Sequence, residues 1–150
     1  MICAHTTSRE GMDEKDVEIV RLLSENARRT LTEMAKILGI SDVAVKKRLS
    51  KLEREGVIKR YTVVADPKKL GYNGVALIGV DAESDHVLKV AEELSKKDYA
   101  AAVYVTTGDH MIMVEVWARH SMELKKIVDE IGSMSGVKRV CPAIVLERLK

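Results

Sequence analysis

The segment from Thr32 to Gly56 constrains the fold of this chain most, because its pattern predicts two short helices joined by a tight corner. Thr32 is a candidate N-cap of the first helix, since its hydroxyl can accept from an unpaired backbone N–H. Gly39 can end that helix because, without a Cβ, it reaches positive φ at little cost. The second helix is predicted to begin after Ser41 and to carry an inward stripe of Val45, Leu49 and Leu52. Such a pair is the helix-turn-helix arrangement, in which the second helix enters the DNA major groove.

Positive charge is concentrated on this second helix and just after it. Residues 41–60 contain seven Lys or Arg and three Asp or Glu, whereas the whole chain has a net charge of only +2. The position of the charge, rather than its total, therefore favours a nucleic-acid partner. The N-terminal half of a recognition helix lies deepest in the groove, so the candidate base contacts are Asp42, Val43, Lys46 and Lys47. The candidate phosphate contacts, which position a protein without reading sequence, are Ser41, Arg48, Lys51 and Arg60.

Another helix is predicted to precede this pair, over residues 13–25. Its expected buried stripe is Ile19, Val20, Leu23 and Ala27. Residues 12–58 are thus expected to form a three-helix, winged helix-turn-helix DNA-binding domain, preceded by a flexible tail over residues 1–11. The β-rich segment 57–64 predicts a strand that serves as a wing or a connecting ribbon, and residues 59–74 are interpreted as a connecting strand and linker.

The hydrophobic pattern changes at residue 75. It predicts the order strand, helix, strand, strand, helix, strand, with Gly108-Asp109 as the tight turn of a central hairpin and Ser121 as the cap of the last helix. This order is typical of a ferredoxin-like βαββαβ unit, so the predicted fold class is α+β, with residues 75–150 as its second domain. The predicted strands cover 75–80, 99–107, 111–117 and 137–146, and the first helix covers 86–95.

One face of such a sheet has no helices, and that face is predicted to be largely apolar. Both alternating sets of strand residues are apolar, as in Val103 and Val105 against Tyr104, or Val114 against Met113. An apolar patch of that size exceeds what a monomer usually leaves exposed. We therefore expect sheet-to-sheet dimerisation, which would also present two recognition helices to two DNA half-sites.

The chain resembles the leucine-responsive regulator (Lrp/AsnC) family along nearly its whole length after residue 11. The residues that carry the resemblance are Asp13, Asp16, Ile19, Leu23, Asn26-Ala27-Arg28, Ala35 to Gly39, Ser41, Val45, Arg48, Leu49, Leu52-Glu53, Gly56-Val57-Ile58, Asp66-Pro67, Leu70-Gly71 and Thr107-Gly108-Asp109. The resemblance implies an N-terminal helix-turn-helix and a C-terminal ligand-sensing domain that also makes the oligomer. It further implies dimers that often assemble into octamers, and a small effector, commonly an amino acid, bound near the Gly-Asp turn at dimer–dimer contacts.

The effector-binding residues that this resemblance implies are Thr107, Gly108, Asp109 and His110. The chain departs from the family here, because His110 and Met111 stand where the family often has an aromatic residue and a second acid. An ammonium group would then be recognised by Asp109 without that second carboxylate. This departure leaves open an effector other than the usual amino acids, no effector, or a Gly108-Asp109 pair that only turns a hairpin. The resemblance favours ligand binding, with a small effector such as an amino acid.

Other functional classes find less support in the sequence. No nucleophile–base set, carboxylate pair or Gly-rich phosphate loop indicates an enzyme or a cofactor. An RNA-recognition module stacks bases on sheet aromatics, but the chain has no Phe and only one Trp. A metal sensor would need Cys141, His110 and His120, whose spacing is not that of a metal site. A DNA-architectural protein without an effector remains open.

Composition and the absence of targeting signals set the expected location. The chain is 46% hydrophobic and 32% charged, which is typical of a globular protein. No run approaches the length of a membrane span, and the polar first residues do not indicate a signal peptide. Two cysteines, Cys3 and Cys141, fit a reducing compartment. We therefore expect a cytoplasmic protein without a membrane partner.

Overall fold

The computed structural model describes residues 11–149, and the chain divides into two compact units between Val64 and Ala65. This division falls inside the predicted linker 59–74. The predicted tail, with Cys3 and His5, lies outside the described residues except for Gly11.

The first unit contains three helices: α1 (Glu14–Glu25), α2 (Leu31–Leu38) and α3 (Asp42–Arg54). The N-cap predicted for α2 is wrong: Thr30 caps the helix, and its hydroxyl accepts from the Glu33 backbone N–H while the Glu33 carboxylate accepts from the Thr30 N–H. This reciprocal capping box satisfies two backbone donors at once. The corner is as predicted, with Gly39 at φ +63° and the Ser41 hydroxyl accepting from the Ala44 N–H.

The core of the first unit lies where the three helices meet. The prediction for α1 is partly wrong, because Ala27 is exposed beyond the end of the helix, whereas Leu22, which was not predicted, is only 2% exposed. Val20 and Leu23 are half-buried. The buried residues of this core are Ile19, Leu22, Met34, Ala35, Val45 and Leu52.

The predicted strand over residues 57–64 is not formed. The N–H groups of Val57 and Ile58 both donate to the Leu52 carbonyl at the end of α3. Beyond them, residues 59–65 make no backbone hydrogen bond to another described residue. A strand requires a paired neighbour, so this segment is not a wing strand within the described part of the protein.

The second unit is a four-stranded antiparallel sheet with two helices on one face, which confirms the predicted βαββαβ order and the α+β class. The elements are β1 (Gly74–Ala82), α4 (Val87–Ser95), β2 (Ala100–Val105), β3 (Ile112–Ala118), α5 (Ser121–Gly132) and β4 (Val137–Ile144). The strand order in the sheet is β2-β3-β1-β4. The cap predicted for the last helix is wrong, because Ser121 is its first residue and the His120 Nδ1 accepts from the Glu123 N–H.

Alternate residues of the two central strands point to the helices and form the core of this unit. They are almost completely buried, and they are Ala76, Ile78, Val80, Ala82, Ile112, Val114, Val116 and Ala118. No helix of the described residues is long and apolar enough to cross a bilayer.

The opposite face of the sheet, here called the open face, is less apolar than predicted. Leu77 is 43% exposed there and Tyr104 is exposed on β2, but Asp81 and Glu115 interrupt the apolar surface. The register of β1 with β4 places Arg139 opposite Asp81 on the same face. The open face is therefore a mixed surface, with apolar side chains around a charged cluster.

Candidate DNA-binding surface and effector site

The outward face of α3 is set by the residues that α3 buries. Because Val45 and Leu52 are completely buried, positions 43, 47, 50 and 54 point in the opposite direction in a helix of 3.6 residues per turn. Val43 is 77% exposed at the start of this line, and Lys47, Ser50 and Arg54 continue it. Lys46 is also exposed beside it.

Ser50 and Arg54 were not among the predicted contacts. The sequence could have indicated them, because the helical period that identified the buried stripe also places residues 50 and 54 on the opposite, exposed side of the C-terminal half of α3. The hydroxyl of Ser24 in α1 donates to a carbonyl one turn back, whereas Ser50 makes no such bond. The Ser50 hydroxyl is therefore available on the outward face.

The residues at the N-terminal end of α3 are held by contacts within the unit. The Thr32 hydroxyl donates to the Asp42 carboxylate at 2.5 Å and so ties α2 to α3. Ser41 is occupied as the N-cap. The structure thus gives Asp42 and Ser41 roles in placing the helix, and their DNA contacts stay predictions.

Arg48 and Lys51 lie on the side of α3 that faces α1. The Arg48 guanidinium donates to Asp16 at 2.6 Å and to Asp13 at 2.7 Å, and Asp16 is only 1% exposed. Lys51 donates to the Gly11 carbonyl, and its Nζ lies 3.7 Å from Asp16. The hydrogen bond from Arg48 holds the pKa of Asp13 below its usual value, and the two carboxylates raise the pKa of Arg48.

Arg48 is therefore part of a part-buried ion pair, with Asp16 as its buried member, that holds α1 against α3. The predicted phosphate contacts of Arg48 and Lys51 stay predictions, but both side chains already have partners inside the unit. Arg60, the remaining predicted phosphate contact, is exposed in the extended segment after α3.

The predicted effector residues lie in the loop between β2 and β3. This loop covers residues 106–111, so it is longer than the tight turn predicted at Gly108-Asp109 between strands 99–107 and 111–117. Thr106 closes the loop, because its N–H donates to the Met111 carbonyl and its hydroxyl donates to the His110 carbonyl at 2.6 Å. Thr107, Gly108 and Asp109 are exposed at its tip, where Gly108 adopts φ +120°.

His110 lies over β1 and not at the loop tip. A Cβ at Gly79 would come within 2.2 Å of the His110 ring, so the ring packs directly on that glycine. The His110 Nδ1 is 3.1 Å from Asp81, and Arg139 donates to the other Asp81 oxygen at 2.6 Å. Arg139 chiefly, and His110 as well, lower the pKa of Asp81. Sequence analysis missed Asp81 and Arg139, because they lie far from the loop in the chain.

The structure also brings Glu83, Asp85 and His86 together before α4, with ligand atoms within 4.8 Å of one another. Both acids are exposed, and the His86 Nδ1 lies 3.0 Å from Asp85. An exposed turn of this kind is common without a metal. Cys141, which the metal-sensor alternative would need, is a free thiol on β4.

A three-helix unit with a basic, outward-facing third helix, followed by a βαββαβ unit, defines a helix-turn-helix regulator with a separate regulatory domain. The family model described as the AsnC-type helix-turn-helix domain matches residues 12–53, and that of the Lrp/AsnC ligand binding domain matches residues 75–150. The chain belongs to the Lrp/AsnC family of transcriptional regulators, and its relatives are regulators rather than enzymes.

Individual relatives agree with this assignment. The chain is 47% identical to the HTH-type transcriptional regulator LrpA of Pyrococcus abyssi over 140 residues, which cover 93% of this chain and 99% of the relative. It is 36% identical to the HTH-type transcriptional regulator FL11 of Pyrococcus horikoshii, covering 95% and 94% of the two chains. The solved structure of Escherichia coli AsnC matches with a TM-score of 0.77 at 27% identity, covering 93% of this chain and 95% of that one.

Proposed function

We propose that this Lrp/AsnC-type regulator binds double-stranded DNA sequence-specifically through the outward face of α3. The observation that carries the proposal is the line of Val43, Lys47, Ser50 and Arg54, which points away from the core of the three-helix unit and is exposed. A helix presented in this way fits the major groove. The cytoplasm, where bacterial and archaeal DNA lies, is the compartment in which such a protein would act.

Lys46 and Lys47 are the residues proposed to read base edges. Both ammonium groups are exposed near the N-terminal end of α3, and lysine donates to guanine O6 and N7. Val43 would contact a thymine methyl group. Arg54, near the other end of the helix, and Arg60, in the following segment, would contact phosphates.

The test begins with a selection from random DNA, which would identify a preferred site. Replacement of Lys47 with alanine should then weaken binding to that site by about 1–3 kcal/mol and relax the preference for one base pair. Lys89→Ala is the matched control, because it removes the same charge from an exposed position in the second unit. Equal affinity and preference for Lys47→Ala and Lys89→Ala would contradict the assignment.

We further propose that the protein acts as a homodimer formed through the open face, with assembly of dimers into an octamer. Exposed Leu77 and Tyr104 on that face support the proposal, and a two-fold dimer would present two α3 helices to two half-sites. Leu77→Asp should shift the mass in solution, measured by light scattering, towards the monomer. Leu88→Asp, at an exposed leucine of α4, should not. A monomeric wild type would rule out this assembly.

The regulatory ligand is proposed to be a small effector, such as an amino acid, bound near Thr107, Gly108, Asp109 and His110. The exposed Asp109 carboxylate could take an ammonium group, and His110 would form one wall. An effector can shift DNA affinity only by its differential affinity for two states of the protein. A panel of amino acids, read out by light scattering and operator affinity, tests the proposal.

The variant for this test is Asp109→Asn, with Asp98→Asn as the matched exposed control. The active compound should lose its effect on the first variant and keep it on the second. If no compound changes assembly or DNA affinity, the protein is a constitutive regulator or a DNA-architectural protein.

A further inference from the structure

Arg139 on β4 is held by one of its three guanidinium nitrogens and leaves the other two open. Its Nε donates to an Asp81 oxygen at 2.6 Å, and its side chain is 60% exposed. The two terminal nitrogens have no hydrogen-bond partner among residues 11–149. A guanidinium presents its N–H groups in a planar fork that matches a carboxylate. Arg139 is therefore an oriented cation with a free edge for binding a carboxylate.

Asp81 connects Arg139 to the loop that carries the predicted effector residues. The second Asp81 oxygen lies 3.1 Å from the His110 Nδ1, and the His110 ring packs on Gly79 of β1. Asp109 directly precedes His110 in the chain and is exposed. The contacts of Asp81 with His110 and Arg139 therefore place the guanidinium beside the loop between β2 and β3.

The free charged groups in this region have opposite signs. The hydrogen bond to Asp81 chiefly raises the pKa of Arg139, and Asp109 also contributes, which agrees with a position of Asp109 near the guanidinium. Asp81 is already paired with Arg139, whereas Asp109 makes no hydrogen bond or ion pair to another residue of the described range. An open carboxylate and an open guanidinium edge thus lie at the same end of the sheet.

This pair of charges lies at the end of the open face and not at its centre. Asp81 is four residues from Leu77 along β1, a distance of about 13 Å at 3.3 Å per residue. Leu77 is the residue that supports the proposed dimer contact. That contact therefore does not require Arg139 to be covered.

We propose that Arg139 is a specificity-determining residue of the effector site, and that it binds the carboxylate of an α-amino acid whose ammonium group binds Asp109. The inference rests on the proposed function, because it names the chemical class of the effector proposed there. Asp109 alone would accept any small amine. Arg139 adds a requirement for a negative group next to the ammonium, which an α-amino acid meets and a simple amine does not.

The experiment compares each amino acid of the panel with its α-carboxamide. The carboxamide keeps the side chain, the ammonium group and the shape of the amino acid, but it has no negative charge to pair with a guanidinium. Titration calorimetry on the full-length protein gives the Kd of both compounds. The ratio of the carboxamide Kd to the amino-acid Kd then reports on the carboxylate, because the rest of the two compounds is shared.

Two variants are compared with the wild type. Arg139→Gln removes the charge and keeps a side chain that can donate to Asp81. Lys138→Gln is the matched control, since it removes the same charge from the neighbouring exposed residue. Urea unfolding followed by the fluorescence of Trp117 shows whether the second unit of each variant is folded as in the wild type.

We expect a Kd ratio of about tenfold to hundredfold in the wild type and in Lys138→Gln, the equilibrium factor for a hydrogen bond to a charged group. In Arg139→Gln the ratio should fall close to one, because the amino acid loses affinity and the carboxamide does not. If Arg139 only held the loop in place, its replacement would weaken both compounds equally and leave the ratio unchanged.

Three results would overturn the inference and leave the effector proposal intact: a ratio near one in the wild type, a ratio in Arg139→Gln equal to that of the wild type, or the loss of both compounds in Arg139→Gln. A fall of the ratio in Lys138→Gln to the value in Arg139→Gln would also overturn it, because general charge would then be the cause. A wild type that binds neither form of any amino acid would overturn the effector proposal, and this inference with it.

Discussion

Replacing Arg48 with methionine is expected to destabilise the three-helix unit severely while leaving the second unit folded. The change removes the guanidinium that pairs with Asp16 and keeps a side chain of similar length. Asp16, only 1% exposed, would then be a buried carboxylate without its principal cation. It would keep the Asp13 backbone N–H as a donor, at 3.2 Å.

The magnitude follows from the geometry of the pair. Removing one partner of a buried ion pair costs about 3–5 kcal/mol. The lower end applies here, because 28% of the Arg48 side chain is exposed and Lys51 remains 3.7 Å from Asp16. A core of this size supplies about 3–5 kcal/mol in total. Arg48→Met should therefore bring the first unit close to its unfolding midpoint without denaturant.

The assay is urea unfolding of the full chain, followed by two signals. Far-UV circular dichroism reports the helices of both units, whereas the fluorescence of Trp117, the single tryptophan, reports the second unit. Arg48→Met should lose helical signal at low urea and keep the wild-type fluorescence transition. Lys47→Met, which removes the same charge from an exposed position of α3, should change the free energy of unfolding by less than about 0.5 kcal/mol.

A double variant distinguishes a buried unpaired charge from lost packing. Asp16→Asn removes the charge and keeps an oxygen for the Asp13 N–H, so Arg48→Met/Asp16→Asn should recover more than half of the lost stability. The reasoning is refuted if Arg48→Met is as stable as Lys47→Met. It is also refuted if the double variant is no more stable than Arg48→Met alone.

Three further predictions concern the same unit. If the Lys51 ammonium leaves Gly11 for a phosphate, Lys51→Ala should weaken binding to all DNA sequences alike. The slope of the logarithm of the binding constant against the logarithm of salt concentration should also fall in magnitude by about one unit. An unchanged slope would mean that Lys51 makes only its contacts within the unit. Thr30→Ala should lower the free energy of unfolding, measured in urea, by about 1 kcal/mol because Thr30 caps α2, and an unchanged free energy of unfolding for this variant would contradict that cap. Arg48 holds the pKa of Asp13 below its usual 3.8. The stabilisation of the folded unit by the Arg48–Asp13 pair is therefore complete above that value, and it is lost as pH falls through the lower pKa of the folded state. Urea midpoints of the wild type should thus fall more steeply on acidification than those of Asp13→Asn, which lacks the titrating carboxylate and keeps an N-cap side chain; parallel curves would exclude the pair as the cause.

Much of the fold followed from chemistry that acts within a few residues. Gly39 and Ser41 marked the corner, because positive φ and an N-cap are local requirements. The error at Thr32 was also local: Thr30 and Glu33 have the spacing of a capping box, which the assignment to Thr32 overlooked. The strand over residues 57–64 was wrong for a different reason, since β propensity does not provide a partner strand.

The candidate sites were predictable only in part. Val43 and Lys47 were predicted because the N-terminal half of a recognition helix lies deepest in the groove; both are exposed, and their DNA contacts stay predictions. Arg48 looked the same as its neighbours in the sequence, yet it pairs with Asp16, 32 residues away. Asp81 and Arg139, which surround His110, are 58 residues apart and could not be found from spacing.

By itself, therefore, the sequence determined the order of the elements, the corner of the helix pair and the outward face of α3, because hydrogen-bonded caps and hydrophobic periods are set by residues within a turn or two. Only the tertiary structure decided which charges on and around that helix are already paired, since ion pairing depends on distances between residues that are far apart in the chain.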